Sequence, residues 1–388
     1  MTTNSLHVTI IGAGIGGLCL AQGLQQAGIA FDVYEKDAAT DSRRQGYRLR
    51  LDQTGMAALA ACVPPQLNSL LTQCGAPPSS GVRMIDAQLS TLHDKEVQDW
   101  QQDGAPDLRI NRLSLREILL DGIGEQVHFG KALERYRERA DGKVDVYFTD
   151  GSGVLTDMLV GADGVHSAVM DWRFPGVRPE ESGDVCIYGT TAMAAAHRVA
   201  PELQRGTCVL FEPGLAVVID AMQWQQAATH TALTAVPDYL YWAMIGKRER
   251  LVGAEQDLQG CIAHITANWS PGLKALFDLA DPAAITVVPI RHARPILPWQ
   301  SSPVTVLGDA IHAMSPASGL GANTALADAA SLLQALLDVA HGHSGLLPAI
   351  ARYEHELRLR GDAAVAASRR GSAQLFGAEE NPMQAPAD

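Results

Sequence analysis

None of the six cysteines, Cys19, Cys62, Cys74, Cys186, Cys208 and Cys261, forms a CxxC pair or any other metal-ligand spacing. Their scatter excludes a zinc ribbon and a CxxC redox site, and it fits reduced thiols in a cytoplasmic protein. Long apolar runs are missing as well. The stretch from Val8 to Leu20 is interrupted by glycines, so no membrane span is expected. Met1 to Leu6 holds no basic residue, and no signal peptide is expected there. Nor is there a basic excess. The formal net charge of −13 disfavours nucleic acid and anionic membranes as partners, while leaving room for a local basic pocket. There is no internal repeat and no low-complexity segment. His166 and His292 have no partners at metal spacing, so no metal is expected.

What the chain does have is apolar substance. Hydrophobic residues make up 47% of 388, enough for a large core and roughly two domains. Residues 7–11 read as a buried strand, 16–27 as a helix closed by Gly28, and 30–35 as a second strand, a compact βαβ unit. Residues 47–51 alternate with period two, which puts Arg48 and Arg50 on one face. A helix is expected over 111–121. A hairpin is expected from 145–149 through the Asp150-Gly151 turn to 154–160. Strand-like runs follow at 185–188, 207–211, 215–219, 239–245 and 285–289, with some helix around 254–278. A buried strand returns at 303–308, and helices at about 320–340 and 346–372 precede a loose tail. A nucleotide-binding domain is therefore expected in pieces around a sheet-rich insertion.

Gly12, Gly14 and Gly17 follow a strand and open a helix, the context a dinucleotide fingerprint needs. The first glycine makes the turn, the second admits a pyrophosphate to the backbone, and the third lets helix pack on strand. Glu35 ends the second strand, where a carboxylate can accept hydrogen bonds from an adenosine ribose. The second motif runs from Gly308-Asp309 through His312 and Pro316 to Gly319-Leu-Gly321-Ala-Asn323. An aspartate just past a buried strand can hold a polyol hydroxyl. Glycines at a helix start let backbone N–H groups face an acceptor carbonyl.

With Asn111-Arg112-Leu113-Ser114-Leu115-Arg116 and Gly161-Ala162-Asp163-Gly164-Val165-His166-Ser167, these motifs make the chain resemble the class A flavoprotein monooxygenases, including their tetracycline-inactivating members. The resemblance implies an α/β fold. It would have a Rossmann-like FAD-binding domain, an inserted, mostly antiparallel substrate sheet (p-hydroxybenzoate-hydroxylase-like) and C-terminal helices. The boundaries expected are FAD-binding parts at 1–75, 101–182 and 291–376, substrate-domain parts at 76–100 and 183–290, and a loose tail at 377–388. The resemblance further implies that Arg112 contacts FAD and Asp309 binds its ribityl or diphosphate portion. Pro316 would lie beside the isoalloxazine, with the backbone of Gly319, Gly321 and Asn323 near its pyrimidine end. Asp163 would serve both FAD and NAD(P)H. The family's arginine soon after the serine is absent here, where Ala168, Val169 and Met170 follow Ser167, and Arg173 is the expected stand-in.

The implied chemistry is reduction of the flavin by NADPH or NADH, formation of a C4a-hydroperoxide with O₂, and oxygen transfer to an aromatic or polycyclic small molecule. The alternatives are an FAD-dependent reductase or dehydrogenase of the same fold without oxygen insertion, and a non-catalytic flavin-binding protein. The flavin carries the hard chemistry, so no acid–base triad is expected. Arg44 is a candidate for the cofactor phosphates and Arg50 for the flavin pocket, because the planar guanidinium suits oxyanions. Tyr188 is a candidate for lining the substrate cavity. Met222, Trp224, Tyr241 and Trp242 read as core more than lining, and His312 as a structural hydrogen-bonding residue more than a base. The oligomeric state and the identity of the substrate are not encoded in any motif.

Overall fold

The computed structural model describes residues 6–42, 48–77, 81–96, 107–224, 233–251, 253, 256–295 and 297–376. Arg43, Arg44 and the tail expected to be loose lie outside them. In chain order come β1 (His7–Ile11), α1 (Ile15–Ala27), β2 (Ala30–Glu35), β3 (Leu49–Leu51), α2 (Gln53–Cys62) and α3 (Pro65–Gln73). They are followed by β4 (Gly81–Ile85), β5 (Thr91–Glu96), β6 (Leu108–Ile110), α4 (Arg112–Leu120), β7 (Val127–Phe129), β8 (Leu133–Glu138) and β9 (Val144–Phe148). Next are β10 (Gly153–Thr156), β11 (Met158–Gly161), α5 (Ala168–Arg173), β12 (Glu180–Ala192), β13 (Thr207–Glu212), β14 (Leu215–Met222) and β15 (Tyr239–Lys247). The last are α6 (Leu258–Ile265), α7 (Pro271–Asp278), β16 (Thr286–His292), β17 (Val304–Val306), α8 (Asp309–His312), α9 (Gly321–Ala340) and α10 (Leu346–Phe376).

A five-stranded parallel sheet, ordered β17-β11-β1-β2-β7, carries the nucleotide-type half. Its centre, β1, is buried from Val8 to Ile11, and apolar there except for Thr9, because helices cover both faces of such a sheet. α1 is buried almost throughout its length. Its one amide in the core, Gln22, donates to the carbonyls of Leu119 and Asp121 at 2.8 Å each, so no buried donor is left over. The helix stops at Gly28, whose left-handed backbone lets the amides of Gly28 and Ile29 return to Gln25 and Leu24.

The second half is a seven-stranded sheet ordered β16-β12-β15-β14-β13-β4-β5, antiparallel except where β13 runs parallel to β4. Side chains alternate along each of its strands. On β15, Leu240, Trp242 and Met244 join a core that includes Leu273, Leu276 and Phe277 of α7. The indole of Trp242 meets the Phe277 ring edge-on at 5.0 Å, and Gly189 opposite it has no side chain because a Cβ would sit 2.6 Å from the indole. The other face carries Tyr239, Tyr241, Ala243 and Ile245.

The expected hairpin is a smaller one. β9 pairs with β10, but Met158–Gly161 leave it as β11 and pair with β1 and β17. Thr156 and Asp157 make the transfer. Thr156 Oγ1 donates to the His7 carbonyl at 2.9 Å, and Asp157 accepts from the His7 amide at 2.9 Å. The helices α2 and α3, and the strands β4, β5 and β8, were not anticipated. No helix among the described residues is long and apolar enough to cross a membrane.

Candidate active site

The three glycines of the first motif have three different surroundings. Gly12 has φ +107°, and a Cβ there would lie 2.4 Å from the Ala162 carbonyl oxygen. At Gly17 a Cβ would lie 2.3 Å from the Gly12 oxygen, so helix and turn are in contact. At Gly14 the nearest protein atom is 3.9 Å away. Protein packing therefore requires glycine at 12 and 17, whereas at 14 the open space faces outward, as a ligand cradle does. No side chain caps the α1 N-terminus at Gly14.

The Glu35 carboxylate closes the floor of this turn. It accepts from the Ala13 amide at 2.8 Å and the Asp37 amide at 2.9 Å. Arg116, from α4, reaches the same place. Its Nε donates to the Ala13 carbonyl at 2.9 Å, its Nη1 donates to the Thr40 carbonyl at 2.7 Å, and its Nη2 lies 3.7 Å from Glu35. Arg116 belongs to the Asn111–Arg116 motif, which by itself gives it no role, although it stands four positions after Arg112 and so on the same side of the helix. Asn111 caps α4 through the Leu113 amide at 2.8 Å and donates to the Tyr239 hydroxyl at 3.0 Å, linking the two halves.

The second motif lies alongside the first. A Cβ on Gly16 would come within 3.3 Å of the Ala325 carbonyl, so the start of α1 packs on α9 one turn in from its N-terminus. Neither helix start has a side-chain cap among the described residues, and each carries a positive dipole end. Gly308 adopts φ +66° and delivers Asp309 at the start of α8. Asp309 is open to solvent yet ringed by protein, as a group lining a cleft is. Burial pushes its carboxyl above the ordinary range, with Asp328 adding to this and His312 and Arg112 opposing it. Arg112 is thus near enough to Asp309 for its charge to act on the carboxyl. Pro316–Ser318 form a single turn ending at Gly319, φ +64°. Asn323 then ties α9 back to β3, donating to the carbonyls of Arg50 and Gly319 at 3.0 Å each.

His312 is structural. Its Nε2 lies 2.5 Å from Asp328, and both residues are buried. Burial pulls the imidazole pKa down, but the Asp328 carboxylate, with Asp309 behind it, outweighs that and raises it. Asp163 accepts from the Ala168 amide at 2.7 Å at the start of α5, while its Oδ1 is buried with no hydrogen-bond partner. Met170 is in the core, and Arg173 is held by Ser302 Oγ at 2.7 Å and the Gln300 carbonyl at 3.1 Å.

The second face of the large sheet is turned toward the second motif. Cys186, Ala216, Ala243, Ile245 and Ile290 form an apolar patch, with Tyr188, Phe211, Tyr241 and Ala317 packed against it. Ala317 belongs to the proline turn, so this face and the second motif meet. Burial pushes the Cys186 thiol up to about 12, so it is an inert apolar group rather than a nucleophile. The Tyr241 hydroxyl is likewise raised by burial and stays neutral. Arg48 and Arg50, expected on one face, take different partners, because β3 begins only at Leu49. Arg48 pairs with the fully buried Asp220 at 2.5 Å, which Arg109 also contacts, whereas Arg50 pairs with Asp107 at 2.6 Å. Met222 and Trp242 are fully buried core.

An open cradle at Gly14, two helix N-termini without side-chain caps and the solvent-open carboxylate of Asp309 fit a flavin dinucleotide. The comparisons agree. The profile of the FAD binding domain family matches residues 5–368. The dual O-methyltransferase/FAD-dependent monooxygenase CTB3 of Cercospora nicotianae is 31% identical over 417 residues, covering 97% of this chain and 47% of that protein. The chain thus spans about half the length of the first curated relatives it matches. A Photorhabdus luminescens protein assigned as an FAD-containing monooxygenase superposes with a TM-score of 0.82 at 30% identity, over 96% of this chain and 99% of that one. Klebsiella pneumoniae HpxO, complexed with FAD and uric acid, shares the fold at 23% identity and a TM-score of 0.79, over 97% and 90%. The fold is the expected Rossmann-like FAD-binding domain with an inserted sheet, and the chain belongs to the FAD binding domain family, that of the class A flavoprotein monooxygenases.

Proposed function

We propose that the chain is a monooxygenase that uses NAD(P)H and O₂ to hydroxylate or oxygenate an aromatic or polycyclic small molecule. The observation that carries this reading is the apolar, tyrosine-bearing sheet face set against the proline turn of the FAD motif. Bound FAD supplies hydride acceptance and oxygen activation. The chain's own residues would bind, orient and exclude water. Gly12, Gly14 and Gly17 would seat the pyrophosphate, and Glu35, with Arg116 behind it, would shape the ribose end. Arg112, Asp163 and Asp309 would hold the middle of the cofactor, and Pro316, Gly319, Gly321 and Asn323 the flavin end. Tyr188 and Tyr241 would offer phenol hydroxyls and ring faces to a flat substrate. The buried Arg48–Asp220 pair would give the cavity wall a polar end.

The nicotinamide coenzyme is assigned to the surface around His166. Arg291 Nη1 lies 3.1 Å from His166 Nε2, and Lys36 and Arg178 are close by. Glu181 pairs with Arg291 at 3.2 Å and Asp171 with Arg178 at 3.1 Å, so a pyrophosphate would take the place of these carboxylates on the guanidinium groups. Arg173 is engaged by Ser302 and Gln300 and nearly buried, whereas Arg291 is more open, which makes Arg291 the candidate phosphate contact.

The test is an oxygen-electrode screen of aromatic compounds with the FAD-loaded protein. Substrate-stimulated NAD(P)H oxidation, O₂ uptake and a product heavier by one oxygen atom are expected. Stimulated oxidation with a product that gains no oxygen would replace this reading with the reductase or dehydrogenase alternative.

A further inference from the structure

We propose that Asp328 is a positioning residue for flavin binding: it fixes the turn at Gly308 and Asp309 from behind, without touching the cofactor. This rests on the reading that FAD occupies the glycine-lined groove. Asp328 is a fully buried carboxylate on α9, among leucines and alanines. A charge in such a place is costly unless several donors meet it. Three do. Its Oδ2 accepts from the Gly308 amide at 2.9 Å and from His312 Nε2 at 2.5 Å. Its Oδ1 accepts from Arg360 Nε of α10 at 2.7 Å.

The first two donors bracket Asp309, one residue before it and three after. One carboxylate oxygen therefore holds both ends of the short segment that presents Asp309 to the cleft. The segment needs holding, because Gly308 sits at φ +66° and ψ −146°, which α8 does not favour by itself. Arg360 brings α10 into the same arrangement, so the C-terminal helix clamps the turn through Asp328.

A purely structural role is separable from this one, because α10 supplies an internal control. Glu354 is also buried and also ties α10 to the strand before the turn, through Thr305 Oγ1 at 3.0 Å and Ser301 Oγ at 2.5 Å. It makes no bond to Gly308 or to His312. Both Asp328→Asn and Glu354→Gln should lower the melting temperature of the apoprotein. Only Asp328→Asn should change the flavin site, since a carboxamide has one acceptor oxygen and would aim an N–H at either Arg360 or the turn.

The experiment titrates each full-length apoprotein with FAD by fluorescence, then records the visible spectrum and the flavin midpoint potential. For Asp328→Asn the expected results are FAD binding weaker by about tenfold, a shifted visible band and a shifted potential. For Glu354→Gln, affinity, spectrum and potential should match the wild type. If Asp328→Asn does not fold, His312→Leu removes one of the two bracketing bonds, since leucine has no donor, and a smaller change in the same direction is expected. Wild-type affinity, spectrum and potential in a folded Asp328→Asn, or in His312→Leu where the former is insoluble, would overturn the proposal. Failure of the wild-type apoprotein to take up FAD would instead overturn the cofactor reading.

Discussion

The Asn323 carboxamide donates to the Arg50 carbonyl at 3.0 Å, joining the first turn of α9 to the short strand β3 across most of the chain's length. The same side chain accepts from the Asp52 amide at 3.1 Å. Gly55 leaves room for it, since a Cβ there would lie 2.1 Å from Asn323 Oδ1. Asn323→Ala should therefore remove the side-chain partner of three backbone groups, the carbonyls of Arg50 and Gly319 and the amide of Asp52, costing about 1–3 kcal/mol of stability, and should weaken FAD binding. Gly55→Ala should reproduce that phenotype by displacing the carboxamide. Thermal melts with and without FAD test both. A Gly55→Ala protein with wild-type melting and affinity would show that the contact has no importance.

Substitutions in the fingerprint should separate folding from binding. Gly17→Ala and Gly12→Ala drive a methyl into backbone, so both should destabilise the protein by more than about 2 kcal/mol or prevent its accumulation. Gly14→Ala meets no protein atom closer than 3.9 Å, so it should keep the wild-type melting temperature without FAD. Its loss should appear only as reduced flavin content after purification. If Gly14→Ala melts as early as Gly17→Ala, the open-cradle assignment is wrong.

Much of this was legible in the sequence where a local pattern has one structural solution. Gly12, Gly17 and Gly28 each mark a backbone event, and the βαβ unit followed from them. Strands of the insertion were marked by short apolar runs such as 215–219 and 239–245, which are buried on both faces. The misses have physical causes. Residues 53–73 form two helices with no charged residue and modest amphipathicity, so only the Asp52 cap and the proline pair Pro64-Pro65 at the second helix start mark them. The split between β10 and β11 depends on Thr156 and Asp157 finding His7, a partner at the other end of the domain. The pairing of Arg48 with Asp220 is equally non-local. Asp328 did leave a trace, a lone carboxylate within the apolar stripe of a helix, which a buried position must explain.

The His312–Asp328 pair should make stability depend on pH on the alkaline side. The imidazole pKa is raised on folding, so the contribution of the pair is complete below the unfolded value of about 6.5. It is lost as pH rises through the higher folded value. Asp309, Arg112 and Arg360 act on the same cluster, so the useful quantity is a difference. The gap in melting temperature between wild type and His312→Gln should narrow from pH 6 to pH 9. A gap that widens over that range would show the opposite sign of shift.

Tyr241 and Trp242 are neighbours in sequence on opposite faces of β15, and their substitutions should have opposite consequences. Tyr241→Phe should leave melting within about 0.5 kcal/mol of wild type and raise KM for the substrate. Trp242→Ala should cost about 3–5 kcal/mol, because the space next to Phe277 would be emptied. Tyr188→Phe should behave like Tyr241→Phe. Steady-state NAD(P)H oxidation and thermal melts are sufficient to measure all three.

That alternation has a bearing on descent. Along β12, β14 and β15, residues toward α6 and α7 are locked in one packed interior, whereas the alternate set, with Cys186, Ala216, Ala243 and Ile245, lies on the face turned to the second motif. A lineage can therefore exchange that alternate set one position at a time while its foldability is guarded by the intervening set. Divergent appetites among proteins sharing this architecture require no remodelling of the scaffold, only drift at one parity of a pleated strand.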